Sequence, residues 1–188
     1  MVVAILWAGA LEPGYSHLGQ FVSELGAADA SHQQAFSYCG LVLCGSLTAL
    51  FALGLFLRLR PSGWLLAASA LVAVVGVARA VAGLFPCDPG CDLEQMSAAA
   101  RVHALSGFLA LTSGALAPLA LAAGLRTIGR GWLYAWSLGV GLVSLVLVPL
   151  LFGLGPDFLF IGAIQRIILT LFYGWIVMLS VSVGAFRR

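Results

Sequence analysis

Two arginine residues, Arg79 and Arg166, lie within long apolar stretches of this sequence, where a charged side chain is costly unless it is paired or hydrated. Neither stretch contains an Asp or Glu residue that could neutralise the guanidinium group. Guanidinium groups bind phosphate and carboxylate oxygens through paired hydrogen bonds. The two arginines therefore predict a polar, water-accessible pocket whose counter-charges come from loop carboxylates or from an anionic ligand.

Three more polar residues, Arg101, His103 and Gln165, lie close to the ends of the apolar stretches. Gln165 directly precedes Arg166, and Arg101 and His103 begin another stretch. We expect Arg79, Arg166, Arg101 and Gln165 to bind the head of a membrane lipid or of an amphiphilic small molecule, with its chains between helices.

Two histidines and two carboxylates are the candidates for chemistry on a bound lipid. His17 and His103 could act as general bases, with Asp88 or Glu24 orienting them. No G-x-S-x-G string supplies a nucleophile, so the sequence leaves open whether the pocket only binds its ligand or also modifies it. The same four side chains could bind zinc, but they come from separated segments without a closely spaced pair of ligands. We therefore predict neither a metal site nor a cofactor.

The composition places these residues in a membrane protein. Of the 188 residues, 62% are apolar and only 9% are charged, whereas a soluble domain carries roughly 25% charged residues. This excludes a soluble globular protein, and also a disordered chain, which would be rich in charge and poor in apolar residues. All nine basic residues are Arg, and the net charge is only +2, so we do not expect nucleic-acid binding.

The predicted fold class is all-α: one polytopic transmembrane bundle of six helices over residues 1–188. About 20 apolar residues cross the hydrocarbon core as a helix, and continuous apolar runs argue against the alternating strands of a β-barrel. The apolar residues 1–11 predict a short or truncated first helix. The five full spans are Gln34–Leu57, Gly63–Phe85, Val102–Leu125, Trp132–Gly153 and Phe158–Phe186. Small residues expected to pack between helices are Gly107, Ser113, Gly114, Gly139 and Gly141.

The charged residues of the loops separate into two groups. Six arginines lie on one side of the predicted bundle, and all seven acidic residues lie on the other. By the positive-inside rule, the arginine side and the C-terminus are cytoplasmic. The arginines are Arg58, Arg60, Arg126, Arg130, Arg187 and Arg188, and the acidic residues are Glu12, Glu24, Asp29, Asp88, Asp92, Glu94 and Asp157.

The first outer loop, residues 12–33, contains an amphipathic pattern. Apolar and polar residues of Ser16–Gly26 fall on opposite faces of a helical wheel, which predicts a helix that lies flat at the membrane interface or covers the bundle. His17, Gln20 and Glu24 would project together from its polar face.

The second outer loop, residues 86–101, contains two cysteines on the expected oxidising side. Cys87 and Cys91 flank an Asp-Pro-Gly turn, which could bring their Cβ atoms within bonding reach. We predict a local disulfide that holds the loop rigid; a redox-active pair is the alternative.

Four strings occur in a characteristic order: PGYSHLGQFVSELGA at Pro13–Ala27, FPCDPGC at Phe85–Cys91, a histidine at position 103, and QR at Gln165–Arg166. They resemble the bacterial and archaeal membrane-protein family known as domain of unknown function 998. Members usually have a complete first helix before the first string, where this sequence has only residues 1–11. The resemblance implies a six-helix fold in a prokaryotic inner or plasma membrane, without an assigned activity. A weaker likeness extends to six-span proteins of the Frag1 and DRAM type.

Two other functions compete with lipid binding. A non-catalytic scaffold or accessory protein fits the same composition. A small transporter is disfavoured because the spans contain no carboxylate for proton coupling and no evident inverted repeat. A haem protein is disfavoured as well, because the three histidines lie near the outer surface. The sequence predicts no oligomeric state.

Overall fold

The computed structural model describes residues 1–58, 63–91, 96–126 and 131–185. Within these ranges the chain forms six long or medium helices and no strand, which confirms the all-α fold class. They are α1 (Val2–Leu11), α2 (Gln33–Arg58), α3 (Gly63–Leu84), α4 (Ala98–Arg126), α5 (Gly131–Leu154) and α6 (Ile161–Ala185). The start of α2, Phe36–Val42, is π-helical, and short 3₁₀ helices occupy Val22–Gly26 and Pro89–Cys91.

Helices α2 to α6 are long and apolar enough to cross a membrane. Each candidate span has 22 to 29 residues, which at 1.5 Å per residue gives about 33–44 Å. Large apolar side chains face outward along them: Leu50, Val146 and Val181 are each more than 60% exposed. A surface of this kind is stable in lipid rather than in water, so the chain is an integral membrane protein. The first helix, α1, is too short to span, as the sequence predicts.

Helices α2 and α3 cross at two glycines. A Cβ atom at Gly76 would lie 2.4 Å from the backbone N of Ala49, and one at Gly45 would lie 2.6 Å from the backbone N of Ala80. Neither position has room for a side chain, so the two helix backbones are in direct contact there. This crossing fixes α3, which carries Arg79, against α2.

The glycines predicted to pack between helices behave differently from one another. A Cβ atom at Gly141 would lie 2.4 Å from Leu119 Cδ2, so α5 and α4 are in close contact there. At Gly107 and Gly139, a Cβ atom would meet nothing within 4 Å. The packing prediction is therefore confirmed for Gly141 and wrong for Gly107 and Gly139.

Three connections meet at one end of the bundle, which we call the acidic end: residues 12–32, 85–91 and 155–160. The backbone N of Ala28 donates to the carbonyl of Cys87 at 3.0 Å and joins the first two connections. Val22 and Leu25 of the first connection are buried in one apolar cluster with Ile161 of α6. This connection is therefore part of the core and not a loose cover.

The prediction of an amphipathic helix over Ser16–Gly26 is wrong. This segment forms a turn followed by the 3₁₀ helix. Its backbone bonds both within the segment and to α6: the N–H of Gln20 donates to the carbonyl of Ser16, and the N–H of Ala163 donates to the carbonyl of Leu18, each at 3.0 Å. The bond to α6 holds the segment in this turn. Tertiary contacts therefore override the local pattern.

Candidate functional site

Arg166 of α6 holds the first connection in place. Its Nη1 donates to the carbonyls of Gln20 (3.0 Å) and Gly162 (2.9 Å), and its Nη2 donates to the hydroxyl of Tyr15. The guanidinium carbon also lies 5.6 Å from the centre of the Tyr15 ring. The Tyr15 hydroxyl in turn donates to the carbonyl of Phe21 at 2.9 Å. These contacts make Arg166 a structural clamp between α6 and the connection.

Gln165 and Gly162 complete this junction. The Oε1 atom of Gln165 accepts a hydrogen bond from the backbone N–H of Val22. A Cβ atom at Gly162 would lie 2.2 Å from the carbonyl O of Gln20, so only glycine lets the two backbones approach this closely. The connection is thus seated directly on the first turns of α6.

Glu24 stabilises the same connection through hydrogen bonds to residues within it. Its two oxygens accept hydrogen bonds from Gln20 Nε2 and from the backbone N–H of Phe21, both at 2.7 Å. Burial raises the pKa of the Glu24 carboxyl, while these hydrogen bonds and the charge of Arg166 act in the opposite direction. Both oxygens are engaged within the connection, so the structure does not bring Glu24 into contact with either candidate base.

His17 lies on the α1 side of the bundle. Its ring meets the Tyr15 ring edge-on, with centroids 5.3 Å apart, and a Cβ atom at Gly9 would lie 2.5 Å from it. With Arg166 it lines a cavity of about 350 Å³ beside α1 and α6. Partial burial and the charge of Arg166 lower the pKa of His17. The structure therefore places His17 apart from His103.

Arg79 of α3 has a different environment from Arg166. It is 7% exposed, and its guanidinium carbon lies 5.4 Å from the centre of the Tyr173 ring. Among the described residues, Arg79 has no carboxylate partner and no hydrogen bond, and its buried Nε and the buried Tyr173 hydroxyl are both without partners. A buried guanidinium group in apolar surroundings is thus left with a single aromatic contact.

His103 of α4 is held in a defined tautomer. Its Nδ1 lies 2.9 Å from the carbonyl oxygens of both Ala82 and Phe85, near the end of α3. Carbonyl oxygens only accept, so Nδ1 carries a proton, and in the neutral imidazole Nε2 then has a free lone pair. The ring is 8% exposed. His103 therefore satisfies the terminal carbonyls of α3 and presents a hydrogen-bond acceptor or base.

Arg79, His103 and Gln165 come together around one internal cavity. This cavity has a volume of about 60 Å³. A second, mostly apolar pocket of about 410 Å³ lies against it, and we call the two the small cavity and the large pocket. The residues that line both are Ser23, His103, Gly107, Leu111 and Gln165.

Asp88 and Arg101 lie outside this cluster. One Asp88 oxygen accepts a hydrogen bond from the backbone N–H of Ser97 at 2.7 Å, and the hydrogen bonds from Ser97 lower the pKa of Asp88. Arg101 is exposed on the first turn of α4, and Arg166, like Asp88, lines neither the small cavity nor the large pocket. Among the described residues, no group of three His, Cys, Asp or Glu side chains could hold a metal ion.

The predicted disulfide is present. Cys87 and Cys91 are bonded, with their Cα atoms 5.0 Å apart, and both residues line the large pocket. The bond closes the turn that follows α3 and so fixes one wall of that pocket.

Sequence reasoning assigned Gly107 to helix packing and not to this cluster, and it missed Tyr173. Gly107 lies one helical turn after His103 on the same face of α4, and this i, i+4 spacing was the available signal. Tyr173 lies seven residues after Arg166, two turns along α6, but nothing in the sequence links it to Arg79 on α3. That contact depends on how the helices pack.

The comparisons with known proteins agree with this fold. No curated protein and no solved structure matches the chain significantly. The profile of a family described as a protein of unknown function, DUF998, matches residues 1–182. The match covers nearly the whole chain, so this membrane protein belongs to the DUF998 family.

Proposed function

We propose that this protein binds an anionic lipid or a related amphiphile at its acidic end, with Arg79 holding the anionic head. The observation that carries the proposal is the buried Arg79 guanidinium, which has no counter-charge among the described residues. Burying an unpaired ion costs several kcal/mol. A cation–π contact with Tyr173 offsets only about 0.5–2 kcal/mol of this cost.

The large pocket supports an amphiphile as the ligand. Its volume of about 410 Å³ falls within the range of roughly 300–1,000 Å³ that is usual for ligand pockets. Its wall is mostly apolar, with His103 and Gln165 at the boundary to the small cavity. An apolar chain fits the large pocket, and a charged head fits beside Arg79. His103 Nε2 is then the base available for any chemistry on that head.

The proposal includes an orientation in the membrane. Arg58 and Arg126 end α2 and α4 on the side opposite the acidic end, so the positive-inside rule makes that side and the C-terminus cytoplasmic. The Cys87–Cys91 disulfide lies at the acidic end, as expected for an oxidising compartment. The site would then face outward from a prokaryotic inner or plasma membrane.

The test compares thermal stabilisation by two lipids. Protein in detergent is heated with added phosphatidic acid, which is anionic and carries a phosphate monoester, or phosphatidylcholine, which is zwitterionic. We expect the anionic lipid to raise the melting temperature of the wild type and of Arg101→Gln, and to have no such effect on Arg79→Leu. Arg101 is the matched control because it is an exposed arginine at the same end. Equal stabilisation of Arg79→Leu and the wild type would contradict the proposal.

A further inference from the structure

Gly107 is the only glycine among the described residues that line both the small cavity and the large pocket, so a passage between the two would run past it. Gly107 lines both spaces, and a Cβ atom there would meet nothing within 4 Å. Glycine in a helix interior is less stable than alanine by roughly 0.5–1 kcal/mol. The absent side chain therefore does not serve packing, and its effect is to leave the passage open.

The small cavity limits the size of the head that Arg79 can hold. A cavity must have a volume of at least about 10–15 Å³ to hold one buried water molecule. The volume of about 60 Å³ thus has room for roughly four to six water-sized groups. A carboxylate or a phosphate group fits this space, whereas a head that carries choline or a sugar is too large.

The large pocket opens sideways, between α4 and α5. Leu105 and Phe108 of α4 and Phe152 of α5 line it, yet they are 60%, 47% and 48% exposed. The rings of Phe108 and Phe152 meet across the gap, with centroids 5.3 Å apart. Because outward-facing side chains of spanning helices lie in hydrocarbon, this side of the pocket faces the lipid.

We infer that the site takes an amphiphile with a small oxyanion head, a carboxylate or a phosphate monoester. The head binds Arg79 in the small cavity, which His103 also lines. The chain passes Gly107, lies in the large pocket, and leaves beside the Phe108–Phe152 pair into the bilayer. This inference rests on the proposed function and adds the class of head, the position of the chain and the route of entry.

The first arm of the test measures binding to the protein in phosphatidylcholine nanodiscs. The probes are oleate, lysophosphatidic acid, lysophosphatidylcholine and inorganic phosphate. Oleate and lysophosphatidic acid distinguish a carboxylate from a phosphate head. We expect at least one of these two to bind the wild type about tenfold or more tightly than lysophosphatidylcholine or inorganic phosphate. Lysophosphatidylcholine binding equally well would overturn the head assignment. Failure of all probes would also overturn the proposed function.

The second arm blocks the passage with Gly107→Leu. We expect the favoured probe to bind this variant about tenfold or more weakly than the wild type. The matched control is Gly139→Leu, which adds the same side chain at an exposed helical glycine with open space around it, remote from both cavities. The milder Gly107→Ala shows whether the leucine variant lost binding through misfolding, because the alanine should retain folding and weaken binding less. Unchanged binding in Gly107→Leu would overturn the route and leave Arg79 binding intact.

The third arm locates the chain with a photoactivatable diazirine on the favoured probe. We expect crosslinked peptides from residues 100–111 of α4 and from residues 151–156 at the end of α5 and in the connection that follows it. Crosslinks confined to α1 and α2 would contradict the lateral opening, even if the head still depends on Arg79.

Discussion

Arg79 and Arg166 have the same chemistry in the sequence but opposite surroundings in the fold. Arg166 donates to two carbonyls and to the Tyr15 hydroxyl, and so joins two elements. Arg79 contacts only the Tyr173 ring and lines an internal cavity. The buried Nε atoms of both arginines are without partners, but the Nη donors of Arg166 are bonded and stabilise the fold, whereas Arg79 has no hydrogen bond among the described residues and is retained at a cost. The two arginines therefore differ in role.

This difference predicts that, in the absence of an anionic ligand, replacing each arginine with leucine changes the free energy of unfolding differently. Arg166→Leu should lower the free energy of unfolding by about 2–4 kcal/mol, because three hydrogen bonds to a charged donor are lost. Arg79→Leu should leave it unchanged or raise it, because a buried unpaired charge is removed. Thermal denaturation in phosphatidylcholine nanodiscs measures both effects. A large loss in Arg79→Leu would show that its guanidinium supports the fold.

Glu24 predicts a pH dependence of stability. In the unfolded chain its carboxyl ionises near the ordinary pKa of 4.5, and burial raises this pKa in the folded chain. Between the two values the folded chain keeps a proton that the unfolded chain has released, so stability falls as the pH rises through this window. Glu24→Gln should remove this fall, so that the melting temperature changes less as the pH rises above 4.5.

The control for Glu24 is Glu12→Gln, which removes one charge from the same connection. It should weaken the hydrogen bonding of Glu12 with Ser31, since glutamine keeps only one acceptor oxygen, but the fall in stability that depends on Glu24 should remain. An unchanged slope in Glu24→Gln would mean that another group titrates in this window.

At the scale of the helices, the crossing of α2 and α3 depends on Gly76. Gly76→Ala would place a Cβ atom 2.4 Å from the backbone N of Ala49, so the helices must separate. We expect a loss of about 1–3 kcal/mol, the usual cost of overpacking, measured as a lower melting temperature. Gly54→Ala in α2 meets nothing within 4 Å and should be neutral or stabilising. Equal effects at both positions would contradict the close crossing.

The first connection shows where local patterns fail to predict structure. The wheel of residues 16–26 indicates a helix, but Leu18 is 57% exposed and its carbonyl bonds to α6. The partner, Ala163, lies far along the chain, and a single sequence carries no signal for that pairing. The five spans are predicted well because a run of about 20 apolar residues is sufficient in a membrane.

The site itself was only partly predictable for the same reason. Arg79 can be recognised in the sequence because a buried charge is costly. Its proximity to His103 can be predicted because α3 ends and α4 begins at the acidic end. The assignment of Arg166 as a clamp, the remote position of Asp88 and the open passage at Gly107 depend on side-chain packing. These are properties of the folded bundle and not of any one segment.

For the whole molecule, we predict that the acidic end faces outward. Single cysteines at Arg58 and Ala98, both exposed, are introduced after Cys39 and Cys44 are replaced by Ala and with the disulfide kept intact. A membrane-impermeant maleimide on intact cells should label Ala98→Cys, and label Arg58→Cys only after the cells are broken. Labelling of Arg58→Cys from outside would reverse the orientation.

The most direct test of the central claim is native mass spectrometry of protein released from its own membrane. The account predicts that the wild type and Arg101→Gln keep one bound amphiphile with an anionic head, and that Arg79→Leu has lost it. Dissociation of the complex then identifies the head as a carboxylate or a phosphate. An equal adduct on Arg79→Leu, or a bound lipid that is only zwitterionic, would contradict the claim that Arg79 binds an anionic head.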